Sequence, residues 1–394
     1  MRLKKKLLFI NNSLHSGGIE KSLVTLLSLI DYNIYEVDLQ LFLNEGLFLD
    51  KIPSQVNLLP PIFPKQYGYS VKKAFIELIK KGYLFLSICR LLITLMSHTG
   101  TFGQRQKRMW AIQKRFIKNS TFQYDTVISY MEGQQIYYAV DKTKAYKKIG
   151  FIHGDYKAMN MDKQTDYPYF QKLDVICTVS ESCKQALDEV FPEFSGKTHV
   201  INNIISPEFI RNLAALNVKF KADFTGIRLV TVARLSYQKG LDIAIPAVAR
   251  LKDEGIRFKW YIIGIGPLKQ KLITIINEYS LNDTVVFLGE QANPYPFIKA
   301  ADIYMQPSRY EGKAIAVDEA MVLCKPILLT DFSTAADQIT SGENGLIVPM
   351  SADGIYNGLN TLIGNEKMRM QFVKKLEQTN FGNENDIEKF YAVI

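Results

Sequence analysis

The chain has 394 residues, of which 47% are hydrophobic and 22% are charged, and its formal net charge is +9. That length suits two domains with full cores, and the composition excludes disordered, collagen-like and disulfide-framework proteins. An excess of positive charge favours an anionic partner, which can be a nucleic acid, an anionic lipid surface or a small anionic substrate.

Twelve short apolar runs alternate with amphipathic helical stretches along the chain. The runs are nearly continuous, as in parallel strands that helices cover on both faces. Twelve strands are many for one open sheet, so we expect two doubly wound sheets. The predicted strands are 7–11, 37–43, 126–130, 148–152, 175–179 and 198–201, followed by 228–232, 258–263, 284–287, 303–306, 326–329 and 345–347.

A polar stretch between Asn203 and Gly226 separates the two series of strands. We therefore predict an α/β chain with two facing Rossmann-like domains, residues 1–205 and 206–379, and a deep cleft between them. Residues 380–394 are expected to form a helix that packs back on the N-terminal domain.

The positive charge is concentrated in residues 65–119 of the N-terminal domain. This segment carries twelve Lys or Arg and one acidic residue, Glu77, so its net charge is +11 and that of the remaining chain is −2. Its cations alternate with aliphatic residues at helical spacing, which favours an anionic membrane surface over nucleic acid as the partner. The alternative is a segment packed in the core whose cations are only solvated. The candidate membrane or acceptor contacts are Lys72, Lys73, Lys80, Lys81, Arg105, Lys107 and Arg108.

The sequence predicts neither a signal peptide nor a membrane-spanning helix. The apolar run at 7–10 is too short for a signal peptide. The longest apolar stretch, 83–96, contains Arg90 and is shorter than the about 20 residues that span a bilayer. The four cysteines lack the spacing of metal ligands, and we expect a cytoplasmic protein.

Two cations follow the predicted strand 228–232. Arg234 and Lys239 lie in a turn that leads into a helix, at the strand end where doubly wound domains bind ligands. Two cations beside a helix N-terminus suit a diphosphate. The alternative is a loop with two solvated charges.

Glu311 and Glu319 follow the predicted strand 303–306 and are eight residues apart. On one helix they would be separated by about 12 Å along the axis and about 80° in rotation. That separation does not suit the two carboxylates of a glycosidase, which flank one carbon. It suits residues that hold two ends of an elongated ligand.

Two further features lie at strand ends in the N-terminal half. Gly17 and Gly18 open a helix after the first strand, where main-chain N–H groups can approach a phosphate or a sugar. The alternative is that the two glycines form an ordinary turn without a ligand. His153 follows strand 148–152, where it is either a cleft residue or a structural histidine. No phosphate-binding P-loop, zinc-protease motif or literal Asp-x-Asp metal motif is present.

Together these residues resemble the retaining glycosyltransferases of family 4, which have the GT-B fold. The matching motifs are the Gly-Gly-x-Glu loop at 17–20, Ala-Arg-Leu-x4-Lys-Gly at 233–240, the Glu-x7-Glu pair at 311–319 and Asn-Gly-Leu-Ile-Val-Pro at 344–349. They are dense between about 230 and 350 and sparse in the first half. Where many members continue Glu-Gly-Phe-Gly, this chain has Glu311-Gly-Lys-Ala, as in enzymes of bacterial capsule and exopolysaccharide synthesis.

The resemblance implies roles for these residues. Arg234 and Lys239 would neutralise the leaving diphosphate, so that neither a metal nor another cofactor is needed. Glu319 would bind the ribose, while Glu311 and His153 would act at the donor sugar. The remaining donor-site residues would be Gly17, Gly18, Leu288, Ser308, Gly312, Lys313, Ala314, Ile315 and Ala316.

The function implied is metal-independent, retaining transfer of a sugar from a nucleoside diphosphate sugar, UDP- or dTDP-linked, to a lipid-linked oligosaccharide. Such an enzyme would lie on the inner face of the bacterial cell membrane and have no nucleic-acid partner. Two alternatives remain at this point: a GT-B sugar-nucleotide epimerase and a basic nucleic-acid-binding protein.

Overall fold

Two parallel sheets organise the molecule. In a computed structural model that describes residues 4–15, 17–96, 99–216, 220 and 224–394, these sheets have seven and six strands. The described residues divide into one unit of 4–15, 19–202 and 385–394 and another of 17–18 and 203–384. The division falls at Asn203, beside the predicted boundary at 205.

The first unit contains the seven-stranded sheet, with strand order β3-β2-β1-β4-β5-β6-β7. Its strands are β1 Lys5–Asn11, β2 Tyr35–Leu41, β3 Val56–Leu58, β4 Gln123–Ser129, β5 Lys144–Ile152, β6 Val175–Thr178 and β7 Thr198–Val200. Its first helices are α1 Gly18–Leu29, α2 Val71–Lys80, α3 Leu84–Met96 and α4 Phe102–Gln113, and α5 Gln134–Lys142, α6 Lys163–Phe170 and α7 Glu181–Val190 follow.

The second unit has the strand order β10-β9-β8-β11-β12-β13. Its strands are β8 Ile227–Val232, β9 Phe258–Ile263, β10 Val285–Gly289, β11 Ile303–Gln306, β12 Ile327–Thr330 and β13 Leu346–Val348. Its helices are α8 Pro207–Ala214, α9 Leu241–Asp253, α10 Lys269–Glu278, α11 Tyr295–Lys299, α12 Ile315–Val322, α13 Ala352–Gly364 and α14 Glu366–Glu377, and the last helix of the chain is α15 Ile387–Val393.

Both sheets have the order of a doubly wound Rossmann-like sheet, in which strand order reverses beside the first strand. All strand pairs are parallel, with Leu7 opposite Val37 in the first sheet and Ile227 opposite Phe258 in the second. The central strands are buried along almost their whole length because helices cover both faces. The predicted fold class of two Rossmann-like domains is confirmed.

Each of the twelve predicted strands overlaps an observed one, and the sequence prediction lacks β3. This strand has three residues at the edge of the first sheet, and only Val56 is buried.

The end of the chain packs on the first unit. Phe390 in α15 is fully buried and stacks on Phe9 of β1, with ring centroids 5.9 Å apart. Tyr391 stacks on Tyr35, and its hydroxyl accepts a hydrogen bond of 2.8 Å from the Asp31 main chain. None of the described helices combines the length and the apolar character that crossing a membrane requires.

Candidate donor site in the second unit

The carboxyl ends of β8 and β11 form the point in the second sheet where strand order reverses. Ligands of doubly wound domains bind at such a switch point. Arg234 and Lys239 follow β8, while Ser308 and Glu311 follow β11. The topology therefore brings together two groups of predicted donor-site residues that are about 70 positions apart in the chain.

Glu311 lies at the centre of a buried polar cluster. Its Oε1 accepts hydrogen bonds from Lys239 Nζ at 2.6 Å and Ser308 Oγ at 2.5 Å. Gln306 donates to the same oxygen at 3.2 Å, and Gln238 donates to Oε2 at 3.3 Å. The Glu311 side chain is only 5% exposed, so its negative charge depends on Lys239 and these donors for stabilisation.

Glu311 precedes α12, whereas Glu319 lies within it. The one-helix geometry used in the sequence analysis therefore does not apply to this pair. Glu319 is buried and accepts a hydrogen bond of 3.1 Å from the Tyr295 hydroxyl. Burial and the Glu319 carboxylate raise the pKa of Tyr295 well above its usual value, so this hydroxyl remains a donor.

The turn between β8 and α9 holds Arg234 and Lys239. Gly240 ends this turn with φ +62°, and a Cβ there would lie 1.8 Å from the Pro307 carbonyl oxygen. Arg309 forms two hydrogen bonds of 2.8 Å with Asp242, and its guanidinium stacks 3.9 Å from the Tyr237 ring centroid. These contacts fasten the turn to the loop after β11.

Arg234 and Lys239 differ in their surroundings. Lys239 is bonded to Glu311 and is only 18% exposed. Arg234 is exposed and pairs with no acidic side chain among the described residues. Arg234 is therefore the more available cation for an incoming anion.

Lys313, the residue that departs from the family motif, lies 3.6 Å from the buried carboxylate of Asp318. Gln338 donates to the other oxygen of Asp318 at 2.8 Å and exchanges hydrogen bonds with the main chain of Ala314. Burial raises the pKa of Asp318, and Lys313 opposes this effect. Asp318 and Gln338 are not among the site residues predicted from the sequence, although an acid beside Glu319 in an apolar helix is a usable signal.

The main-chain positions predicted to face the phosphates are not equivalent. The Ala314 N–H donates to Gln338, whereas those of Ile315 and Ala316 begin α12 and have no partner within the helix. Gly312 is buried beside them. The Leu288 carbonyl, near the predicted base contact, accepts from the Gln291 side chain at 2.8 Å.

The first unit contains His153, which follows β5 and is 8% exposed. Its ring lies 4.9 Å from the Tyr130 ring, and neither ring nitrogen has a hydrogen-bond partner of good geometry among the described side and main chains. Burial lowers the pKa of His153 to about 3, with a small opposing effect from the Tyr130 carbonyl. The ring is therefore neutral at physiological pH. Gly17 and Gly18, by contrast, belong by their contacts to the second unit.

The candidate membrane cations occupy α2, α4 and the turns beside them. Arg105 and Arg108 donate to Gly100 and Thr99, which ties them to the turn before α4. Lys80 pairs with Glu77, and Lys73 lies over the Tyr69 ring. The others are Lys72, Lys81 and Lys107, and Ser97 and His98 of the segment 65–119 lie outside the described residues. No group of three metal-ligating side chains occurs in the part of the chain that the structure describes.

Residues 217–379 match the family model of the glycosyl transferases group 1. The putative colanic acid biosynthesis glycosyltransferase WcaL of Escherichia coli K12 is 35% identical over 33% of this chain and 34% of its own length. A Campylobacter jejuni relative, named N-acetylgalactosamine-N,N'-diacetylbacillosaminyl-diphospho-undecaprenol 4-alpha-N-acetylgalactosaminyltransferase, is 23% identical over 92% of this chain and 91% of its own. The chain spans less than two thirds of the length of other curated relatives that it matches, for example 60% of one of them.

Among solved structures, Anabaena HepE in complex with UDP and glucose aligns with a TM-score of 0.69 and 17% identity, covering 98% of each chain. This likeness shows the fold. The chain thus has the two-domain GT-B fold, and residues 217–379 of its second unit are similar to the glycosyl transferases group 1.

Proposed function

We propose that the chain is a retaining, metal-independent glycosyltransferase that transfers a sugar from a nucleoside diphosphate sugar to a lipid-linked saccharide. The observation that carries this proposal is the Glu311–Lys239 cluster at the switch point of the second unit, inside the region that matches the group 1 family. The nucleotide class is supported by the UDP named with Anabaena HepE. The acceptor class is supported by the diphospho-undecaprenol in the name of the Campylobacter relative.

The site chemistry agrees with binding of a sugar nucleotide. Arg234 and the ammonium of Lys239 supply positive charge for a diphosphate, beside the main-chain N–H groups of Ile315 and Ala316, which have no partner within α12. Glu311 supplies acceptors for sugar hydroxyls. Glu319, in a separate buried position, is assigned to the ribose. His153 of the first unit is a predicted sugar contact, and because it is neutral it adds no charge.

The reaction that we propose is a front-face substitution. The bond between the donor C1 and the diphosphate oxygen breaks, and both electrons leave with the diphosphate. The acceptor hydroxyl oxygen forms a bond to C1 on the same face, and its proton passes to an oxygen of the leaving phosphate. The protein contributes position and electrostatic stabilisation of the developing diphosphate charge.

The wider setting of the proposal is synthesis of a bacterial surface polysaccharide on the inner face of the cell membrane. The E. coli relative named for colanic acid biosynthesis supports this setting. The charge of +11 in residues 65–119 supports attraction to an anionic membrane.

The donor is identified by thermal shift with UDP-, dTDP- and GDP-sugars, since a bound ligand raises the apparent stability by mass action. We expect a uridine or thymidine nucleotide to raise the melting temperature. A donor that is consumed without any acceptor, and converted to an epimeric nucleotide sugar, would instead identify an epimerase.

Substitution of Arg234 tests its proposed role in binding the diphosphate. Arg234→Ala should lower kcat/KM for sugar transfer by about 100-fold, or about 3 kcal/mol, because charged hydrogen bonds to the diphosphate are lost. Arg257→Ala is the matched control, because Arg257 is exposed just before β9, at the amino ends of the strands, whereas Arg234 follows the carboxyl end of β8. Steady-state kinetics measures both variants, and equal activity of the two would remove the role of Arg234.

A further inference from the structure

Helix α3 exposes an apolar face to solvent. Its exposed side chains recur at the spacing of one helical face, and all of them are large and apolar. We call this surface the α3 face: Leu84, Phe85, Ile88, Leu91, Leu92 and Leu95, which are 50, 71, 43, 39, 44 and 64% exposed. The buried residues on the other side of the helix are Ser87, Cys89 and Ile93. Helix α3 is thus apolar on the exposed side as well, where an ordinary surface helix carries polar residues.

The one charged residue of α3 is turned toward the protein. Arg90 is partly buried, donates to the Tyr67 carbonyl at 3.4 Å and to Thr94 Oγ1 at 2.9 Å, and lies 5.8 Å from the Tyr67 ring centroid. In the sequence, Arg90 argues only against a membrane-spanning helix over residues 83–96. In the fold it does not interrupt the α3 face.

Further apolar side chains are exposed next to this helix along the chain. Ile76 and Ile79 of α2 are 43 and 41% exposed, and Tyr83 is 44% exposed. Phe116 is 43% exposed, and its ring stacks on that of Phe85. Contiguous apolar surface on a soluble protein marks a site of interaction.

The charge around the α3 face selects its partner. The segment that contains it has a net charge of +11, and Lys72, Lys73, Lys80 and Lys81 are all exposed on α2 or just after it. A second copy of the chain would bring two such segments together, with repulsion between them. Anionic lipid headgroups complement the cations, and the acyl region beneath them accepts the apolar side chains.

We propose that the α3 face inserts into the boundary between headgroups and acyl chains of an anionic bilayer, with α3 parallel to the membrane plane. A helix of 13 residues is about 20 Å long, which is too short to span a bilayer but suits an interfacial position. The inference rests on the proposed function, which includes a lipid-linked acceptor. It deepens that function by assigning membrane attachment to apolar insertion as well as to charge.

Co-sedimentation of the full chain with vesicles tests the insertion. We expect binding to phosphatidylcholine vesicles that contain 30% phosphatidylglycerol, and a partition coefficient at least about tenfold lower for Leu92→Ser/Leu95→Ser, because apolar area no longer leaves water. Both residues are exposed, and circular dichroism verifies that the variant is folded. Met370→Ser is the control, since Met370 is 60% exposed on α14 of the second unit, and its binding should equal that of the unmodified chain.

Three results would overturn the proposal. The first is failure of the unmodified chain to bind the anionic vesicles, and the second is equal binding by the chain and Leu92→Ser/Leu95→Ser. The third is a dimer, detected by light scattering, that the double substitution converts to a monomer, which would assign the face to a second copy. Thermal shift with nucleotide sugars needs no vesicles, so loss of vesicle binding with intact nucleotide binding rejects the insertion and leaves the proposed function standing.

Discussion

Glu311 and Lys239 are the residues on which the charge balance of the candidate donor site depends. The carboxylate is 5% exposed and the ammonium 18% exposed, with 2.6 Å between Nζ and Oε1. A buried carboxylate without a cation is costly because few groups replace its hydration. The ammonium has three N–H donors, so Lys239 can keep its bond to Glu311 and still donate to a diphosphate.

Removal of Lys239 alone should therefore harm stability as well as binding. Lys239→Met should lower the free energy of unfolding by about 3 kcal/mol, because Glu311 stays buried without its cation. Lys239→Met/Glu311→Gln should recover part of this loss, since the amide carries no charge, but should not recover nucleotide affinity. Urea denaturation and isothermal titration calorimetry measure the two effects.

The control for this pair is Lys375→Met. Lys375 lies 3.7 Å from Glu343, and both side chains are more than half exposed, so this ion pair should contribute little. If Lys239→Met destabilised the chain no more than Lys375→Met, the carboxylate of Glu311 would not depend on Lys239.

Secondary structure elements differ in how far the sequence determines them. The central strands are predictable because they are continuous apolar runs, while β3 is missed because only one of its three side chains is buried. Helix α3 is predictable as apolar, but which face meets water depends on tertiary contacts, such as that between Arg90 and Tyr67.

Part of the polar cluster around Glu311 likewise cannot be predicted from the sequence. Gln238 and Gln306 are unremarkable in the sequence, and they reach Glu311 only because β8 and β11 are neighbours in the sheet. The position of Arg234 and Lys239 after a strand was predictable, since it depends only on the local sequence.

The turn between β8 and α9 requires glycine at its end for a reason that can be tested. Gly240 has a positive φ, and a Cβ would collide with the Pro307 carbonyl. Gly240→Ala should therefore cost more than the about 1–2 kcal/mol of a left-handed residue alone. It should also weaken nucleotide binding, because Lys239 is the preceding residue. Urea denaturation and calorimetry measure these losses.

Gly255→Ala separates the clash from the backbone strain. Gly255 has φ +77°, but no atom lies within 4 Å of the position of its Cβ. This variant should show only the cost of the left-handed conformation and normal nucleotide affinity. Equal destabilisation by the two substitutions would mean that the backbone can move to relieve the clash with Pro307 at no cost in free energy.

At the scale of the whole molecule, the chain forms two units with separate sheets, and its C-terminal segment packs on the first unit. The chain leaves the first unit at Asn202 and comes back at Asn385 to place α15 against β1. Each unit contains one of the two tryptophans. Trp110 is buried in the first and donates to Asp141, and Trp260 is buried in the second and donates to Thr231.

These tryptophans allow the stability of each unit to be followed separately. Phe390→Ala should lower the stability of the first unit by about 3–5 kcal/mol, because a fully buried ring is removed from beside Phe9. In urea, the midpoint followed by Trp110 fluorescence, in a Trp260→Phe background, should fall. The midpoint followed by Trp260, in a Trp110→Phe background, should stay close to that of the parent.

Phe372→Ala is the reciprocal control. Phe372 is 1% exposed in the core of the second unit, so its substitution should lower only the midpoint followed by Trp260. A fall in both midpoints for either substitution would show that the units unfold together, so that the docking of α15 stabilises the whole chain and not the first unit alone.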